Sequence, residues 1–184
     1  MRPRGHRVVG RGPEQVDSDE LILEQVHQLR HHTELNLDVG RVSAGQVLIR
    51  EVDMMRIIEN LSSNACRHAV STIGFAVGET DGRMVLSVID DGPGIPDEMR
   101  VQVFERSARL DVERCRQDGG SGLGLAIVAE LVRGYDGRVW VESVLPHGAW
   151  FFVELPTPTT EDGASRSCSA TRIGDRLPEG RQAS

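Results

Sequence analysis

Asn60 and Asn64 stand four residues apart, a spacing that stacks both carboxamides on one face of a helix, and Arg67 and His68 carry that side one turn further. An amide oxygen is a hard, neutral ligand suited to Mg2+, which keeps part of its water shell and shares phosphate oxygens. The same four residues would equally suit the solvated face of an ordinary amphipathic helix. Farther along, Asp90-Asp91-Gly92-Pro93-Gly94 sets a carboxylate at the start of a tight turn. Ionised, Asp90 only accepts hydrogen bonds, which suits an exocyclic amine such as that of adenine. Gly92 and Gly94 let the backbone bend sharply beside a flat ligand, and Pro93 and Pro96 stiffen the bend. Taken alone, such a turn is common.

The third candidate is Gly119-Gly120-Ser121-Gly122-Leu123-Gly124, which runs directly into a segment carrying Leu125, Ile127, Val128 and Leu131. Small residues leave backbone N–H groups open, and a helix start favours phosphate. The plain alternative is a flexible loop ahead of a helix. No Lys follows in the P-loop arrangement, and no early strand–glycine–helix unit matches the dinucleotide fingerprint. A nucleotide held by these residues is therefore held in another way.

Periodicity supplies the elements that must position these groups. A helix is expected from Asp19, with Ser18 or Asp19 as its cap and Leu21, Ile22, Val26 and Leu29 on its apolar side. Residues 35–39 and 46–49 read as short strands. A helix over 54–69, capped by Asp53, has the apolar stripe Met54, Ile57, Ile58, Leu61 and Ala65, which leaves the Asn60 face on its flank. Strands are expected at 71–77 and 83–89, the second ending at Asp90. Residues 98–118 are mostly polar, with an apolar patch at Val101, Val103 and Phe104, and suit a lid or a disordered connection. A helix over 123–135 and a hairpin of 139–143 with 149–155 complete the pattern. This divides the chain into a disordered start (1–17), one domain (18–156) and a disordered tail (157–184).

Size and charge limit the functions available. The chain has 184 residues, of which 39% are hydrophobic and 27% charged, enough for one domain with a sizeable core. A formal net charge of -7 argues against nucleic acid as a partner, because phosphate backbones demand clustered Lys and Arg. Arg2, Arg4, Arg7 and Arg11 read as part of a solvated end. Cys66, Cys115 and Cys168 are odd in number and widely spaced, which fits neither a metal site nor a disulfide framework and points to a reducing cytoplasm. No apolar run approaches the roughly 20 residues that cross a bilayer, so no direct membrane insertion is expected.

In order, these pieces resemble the ATP-binding catalytic domain of sensor histidine kinases, within the superfamily shared with gyrase, Hsp90 and MutL. The run from Glu59 to Ala69 resembles the asparagine box and Val88 to Pro96 the first glycine box. Val103-Phe104-Glu105-Arg106 resembles the start of the phenylalanine box, and Gly119 to Val128 the second glycine box. The resemblance implies an α/β two-layer sandwich, a mixed and mostly antiparallel sheet against three helices. It implies Mg2+ on Asn64, Asn60 beside the phosphates, Arg67 and His68 on the phosphate or ribose side, and Asp90 on the adenine amine. Gly120, Gly122 and Gly124 would bring backbone donors to the phosphates. Gly92, Gly94, Ile95, Phe104, Arg106, Ser121, Leu123 and Leu125 would complete the ATP site, with 98–118 as its lid.

Members of the superfamily that hydrolyse ATP usually carry Glu where Asn60 stands, so the resemblance implies a kinase rather than an ATPase. Neighbouring Glu59 points about 100° away around the helix. Departures are Ser107 in place of the second aromatic of the phenylalanine box, which weakens lid packing, and Tyr135-Asp136 where His-Gly or Gly-Gly is common. His31-His32-Thr33-Glu34 lacks the phosphoacceptor pattern, and His27, His31 and His32 read as surface residues. The acceptor histidine is therefore expected on a dimerisation domain or parent kinase, with a response regulator downstream. The alternatives are an ATP-binding regulatory protein and an anti-sigma-type serine kinase acting on a protein partner.

Overall fold

A computed structural model of the chain describes residues 12–105 and 123–158. The elements run β1 (Glu14–Asp17), α1 (Ser18–Leu29), β2 (Asn36–Val42), β3 (Gln46–Ile49), α2 (Glu51–His68), β4 (Thr72–Thr80) and β5 (Arg83–Asp90). After two single-turn 3-10 segments, Asp97–Met99 and Gln102–Phe104, come α3 (Gly124–Gly134), β6 (Arg138–Ser143) and β7 (Ala149–Pro156). Five strands form one sheet in the order β2-β4-β5-β7-β6, with β2 parallel to β4 and every other neighbour antiparallel. A separate two-stranded ribbon pairs β1 with β3.

Alternation along the strands puts the main core on one face of the large sheet. Ile73, Phe75 and Val77 of β4, Met84, Leu86 and Val88 of β5, and Phe151, Val153 and Leu155 of β7 are buried with α2 and α3 in a single core. The stripe expected on α2 is the face it buries: Met54, Ile57, Ile58, Leu61 and Ala65 are at most 1% exposed. α1 adds Ile22 and Val26, and the ribbon adds Val16, Val47 and Ile49. The architecture is the α/β two-layer sandwich expected, with a mixed, mostly antiparallel sheet. On the opposite face Trp140 stacks on Phe152 at 4.9 Å, and Trp150 lies 4.6 Å from the same ring.

Several local expectations need correction. Residues 14–17 are a strand rather than part of an unstructured start, because Val16 has a buried seat opposite Val47. Neither Ser18 nor Asp19 caps α1; Asp17 holds the N-cap position without a side-chain bond. Asp53 does not cap α2, which starts two residues earlier with Arg50 at its N-cap. Instead Asp53 is 2% exposed and turns sideways, where Arg50 Nε and Tyr135 Oη each reach its Oδ2, at 2.7 and 2.6 Å. A buried carboxylate needs such partners, and here they join the start of α2 to the end of α3. Of the expected disordered start (1–17) and tail (157–184), residues 1–11 and 159–184 lie outside the described residues, as do Cys115 and Cys168.

Candidate nucleotide site

The last turns of α2 are bordered by glycines that let other chain segments come close. At one end is Asn60, half-buried, whose Nδ2 donates to the Arg56 carbonyl at 2.6 Å. Its Oδ1 faces the first residue of α3, where a Cβ added to Gly124 would come within 2.7 Å. Gly124 is thus the residue that allows the start of α3 to lie against the Asn60 carboxamide. Asn64 is half-buried one turn on, while Arg67 and His68 are exposed in the last turn.

At the other end the main chain of the Asp90 turn rests on α2 itself. A Cβ on Gly92 would sit 2.4 Å from the His68 carbonyl oxygen, so only glycine fits. Gly94 has φ 79, and a Cβ there would meet the Gly148 carbonyl at 2.8 Å. Gly148 in turn has φ 137 and lies against the Asp90 carbonyl. From Asn60 to His68 the helix rises about 12 Å. One face of α2 therefore runs from the start of α3 to the Asp90 turn.

Asp90 is 3% exposed. The Gly92 N–H donates to its Oδ1 at 2.9 Å, while its buried Oδ2 has no hydrogen-bond partner. Burial pushes the Asp90 carboxyl above its ordinary pKa, with the N–H groups of Gly92 and Ala149 and the nearby His68 pulling the other way. A buried carboxylate oxygen without a donor is costly. It is a ready acceptor for a ligand N–H.

Other members of the expected set are placed as follows. Ile95 is half-buried against the core. Phe104 packs edge-on against Phe151 at 6.3 Å, which anchors the beginning of the 98–118 segment to the core. Leu123 holds the N-cap position of α3 and Leu125 is half-buried in its first turn. Arg106, Ser107, Gly120, Ser121 and Gly122 lie outside the described residues. The described residues contain no group of three or more His, Cys, Asp or Glu able to hold a metal ion.

Residues that sequence reasoning missed also shape the site. Asp91 accepts from the main-chain N–H groups of Val70 and Ser71 and from the Ser71 hydroxyl. Burial works against its ionisation, but the Ser71 hydroxyl and the N–H groups of Ser71, Thr72 and Val70 outweigh it and hold the carboxyl at about 2. The doubled acid Asp90-Asp91 was the only available signal. Nothing in the sequence pointed to its donors.

Residues 49–159 match the family of histidine kinase-, DNA gyrase B- and HSP90-like ATPases, which spans more than half of the chain. The chain belongs to this family. It is 35% identical over 125 residues to the sensor protein kinase WalK of Staphylococcus epidermidis, a match covering 64% of this chain and 20% of that protein. WalK of Staphylococcus aureus is 36% identical over 114 residues, covering 60% of this chain and 28% of that protein. The chain thus spans between a fifth and a third of these relatives' length. Among solved structures, the mycobacterial sensor histidine kinase MprB superposes with a TM-score of 0.68 at 30% identity, covering 80% of this chain and 99% of that one. Full-length ShkA in complex with AMPPNP superposes with a TM-score of 0.66 at 29% identity, covering 80% of this chain and 32% of that one. Among the described residues, no helix is long and apolar enough to cross a membrane.

Proposed function

We propose that this chain is the ATP-binding catalytic domain of a sensor histidine kinase, which binds Mg-ATP and passes its γ-phosphoryl group to a histidine on a dimerisation domain. The unpartnered, buried Oδ2 of Asp90 carries this reading. An adenine amine donating there would satisfy that oxygen. The triphosphate would then run along α2 toward Asn60 and the start of α3. The complex of full-length ShkA with AMPPNP supports an ATP-type ligand for this fold.

Asn60 Oδ1, directed at the start of α3, and Asn64 one turn on are neutral oxygen donors of the kind Mg2+ accepts beside phosphate. Asn64 would hold the ion and Asn60 would assist; when bound, the ion neutralises phosphate charge. The carboxamide of Asn60 has no basicity with which to activate water, and its Nδ2 is committed to Arg56. Asn60 would therefore help to orient the triphosphate without itself promoting hydrolysis. Transfer of a phosphoryl group relies mainly on such positioning and charge neutralisation. In the transfer itself an acceptor imidazole nitrogen would bond to the γ-phosphorus as the β–γ bridging oxygen leaves with ADP. We further propose 18–156 as the catalytic unit, a cytoplasmic location, and a response regulator as the eventual recipient.

The test incubates the chain with labelled ATP, Mg2+ and a dimerisation domain from a related kinase. Acid-labile, base-stable phosphate on that domain is expected, abolished by Asn64→Ala and strongly reduced by Asp90→Asn. Acid-stable label on serine, or ATP binding by Asp90→Asn equal to that of the parent chain, would overturn the proposal.

A further inference from the structure

Consecutive carboxylates at the end of β5 serve different neighbours. Asp90 is buried and keeps Oδ2 without a protein partner, whereas Asp91 reaches the corner that joins α2 to β4. Asp91 Oδ1 accepts from Val70 N at 2.8 Å and Ser71 N at 3.0 Å, and Oδ2 accepts from Ser71 N at 3.1 Å and Ser71 Oγ at 2.6 Å. Val70 and Ser71 follow within three residues of the end of α2. The same helix end supplies the His68 carbonyl on which Gly92 rests. Asp91 is therefore the side-chain tie, and Gly92 the close main-chain contact, between α2 and the turn that starts at Asp90.

We propose that Asp91 is a positioning residue for adenine recognition. By tying the end of α2 to the Asp90 turn, it sets where Asp90 Oδ2 stands relative to the Asn60–Asn64 face, and so whether base and triphosphate can be held at once. Bonds from a carboxylate to two N–H groups and a hydroxyl are charge-assisted and directional. Cutting them leaves the phosphate end of the site untouched while freeing the turn that carries the base acceptor. This role rests on the assignment of Asp90 to the adenine amine.

The experiment measures the dissociation constant of a fluorescent ATP analogue with Mg2+ on the full chain and on Asp91→Ala, Asp91→Asn, Ser71→Ala, the Asp91→Ala/Ser71→Ala double variant and Asp90→Asn. Competition by GTP and by inorganic tripolyphosphate is measured alongside. Asp91→Ala is expected to weaken the analogue about tenfold. It should also narrow the ATP-over-GTP preference and leave tripolyphosphate competition unchanged, a pattern that general loosening of the fold does not produce. Asp91→Asn, whose amide oxygen still accepts from Val70 and Ser71, should recover affinity to within about threefold of the parent. The double variant should bind no more weakly than Asp91→Ala, because both changes cut one tie. Should Asp91→Ala fail to fold, Ser71→Ala and Asp91→Asn still report, through a smaller loss of base preference in Ser71→Ala. Parental affinity and base preference in the Asp91 and Ser71 variants, with Asp90→Asn impaired, would overturn the positioning role. Parental binding by Asp90→Asn would instead overturn the adenine assignment, and the role of Asp91 with it.

Discussion

At the scale of single residues, adjacent carboxylates carry opposite linkage signs. Asp91 has a folded-state pKa of about 2, below its ordinary 3.8. Its ties therefore contribute stability fully above the ordinary value and lose it as pH falls toward about 2. Asp90 behaves in reverse. Burial raises its pKa, so in the free chain its ionisation opposes folding, while the ionised form would be the stronger acceptor for an adenine amine. Acid titration followed by circular dichroism should show Asp91→Asn losing part of the parent's pH dependence between about 4 and 2. Nucleotide affinity should weaken as pH falls through the raised Asp90 pKa, and that component should be missing from the Asp90→Asn profile. The notion that Asp90 accepts was available from its residue type. That it would be 3% exposed with one oxygen unpartnered was not, because strands and turns distant in sequence bury it.

At the scale of elements, α2 and α3 meet at two places along their shared surface. Near the start of α2, buried Asp53 takes Arg50 and Tyr135, and Arg50 N donates to Tyr135 Oη at 3.3 Å. At mid-helix, Gly124 lies against the Asn60 carboxamide. Tyr135→Phe removes one donor from a buried carboxylate and should cost about 1–3 kcal/mol in denaturant unfolding. It should leave nucleotide affinity nearly unchanged, since the tie lies at the end of α2 away from Asp90. Both strands of the β4–β5 hairpin, the β6–β7 hairpin and the buried stripe of α2 were legible in advance, because periods of 2.0 and 3.6 are local properties. The role of Asp53 was not. A cap and a buried acceptor for a distant hydroxyl use the same residue type, and only the arrival of Tyr135, 82 positions later, separates them.

Across the whole molecule, the proposed site lies where separated segments meet on glycines: α2 meets the start of α3 at Gly124 and the Asp90 turn at Gly92, and the Asp90 turn meets the β6–β7 turn at Gly94 and Gly148. Gly148 is the tightest of these contacts, with φ 137 and a Cβ position 2.3 Å from the Asp90 carbonyl. Gly148→Ala should therefore destabilise the fold by several kcal/mol, on the order of 2–4. It should also weaken nucleotide binding in the fraction that remains folded, measured by thermal melting and by titration of that fraction. Ser107 and the glycines at 119, 120 and 122 lie outside the described residues. By itself the sequence determined the kind of fold, the order of its motifs and the chemistry of Asn60, Asn64 and Asp90, since residue type, period and spacing are written locally. Only the tertiary structure decided which carboxylate keeps a buried oxygen without a donor and which ties the frame, because that depends on donors brought from elsewhere in the chain. Asp90 was left with a buried oxygen to offer, and Asp91, one residue on, had its oxygens taken by Val70 and Ser71.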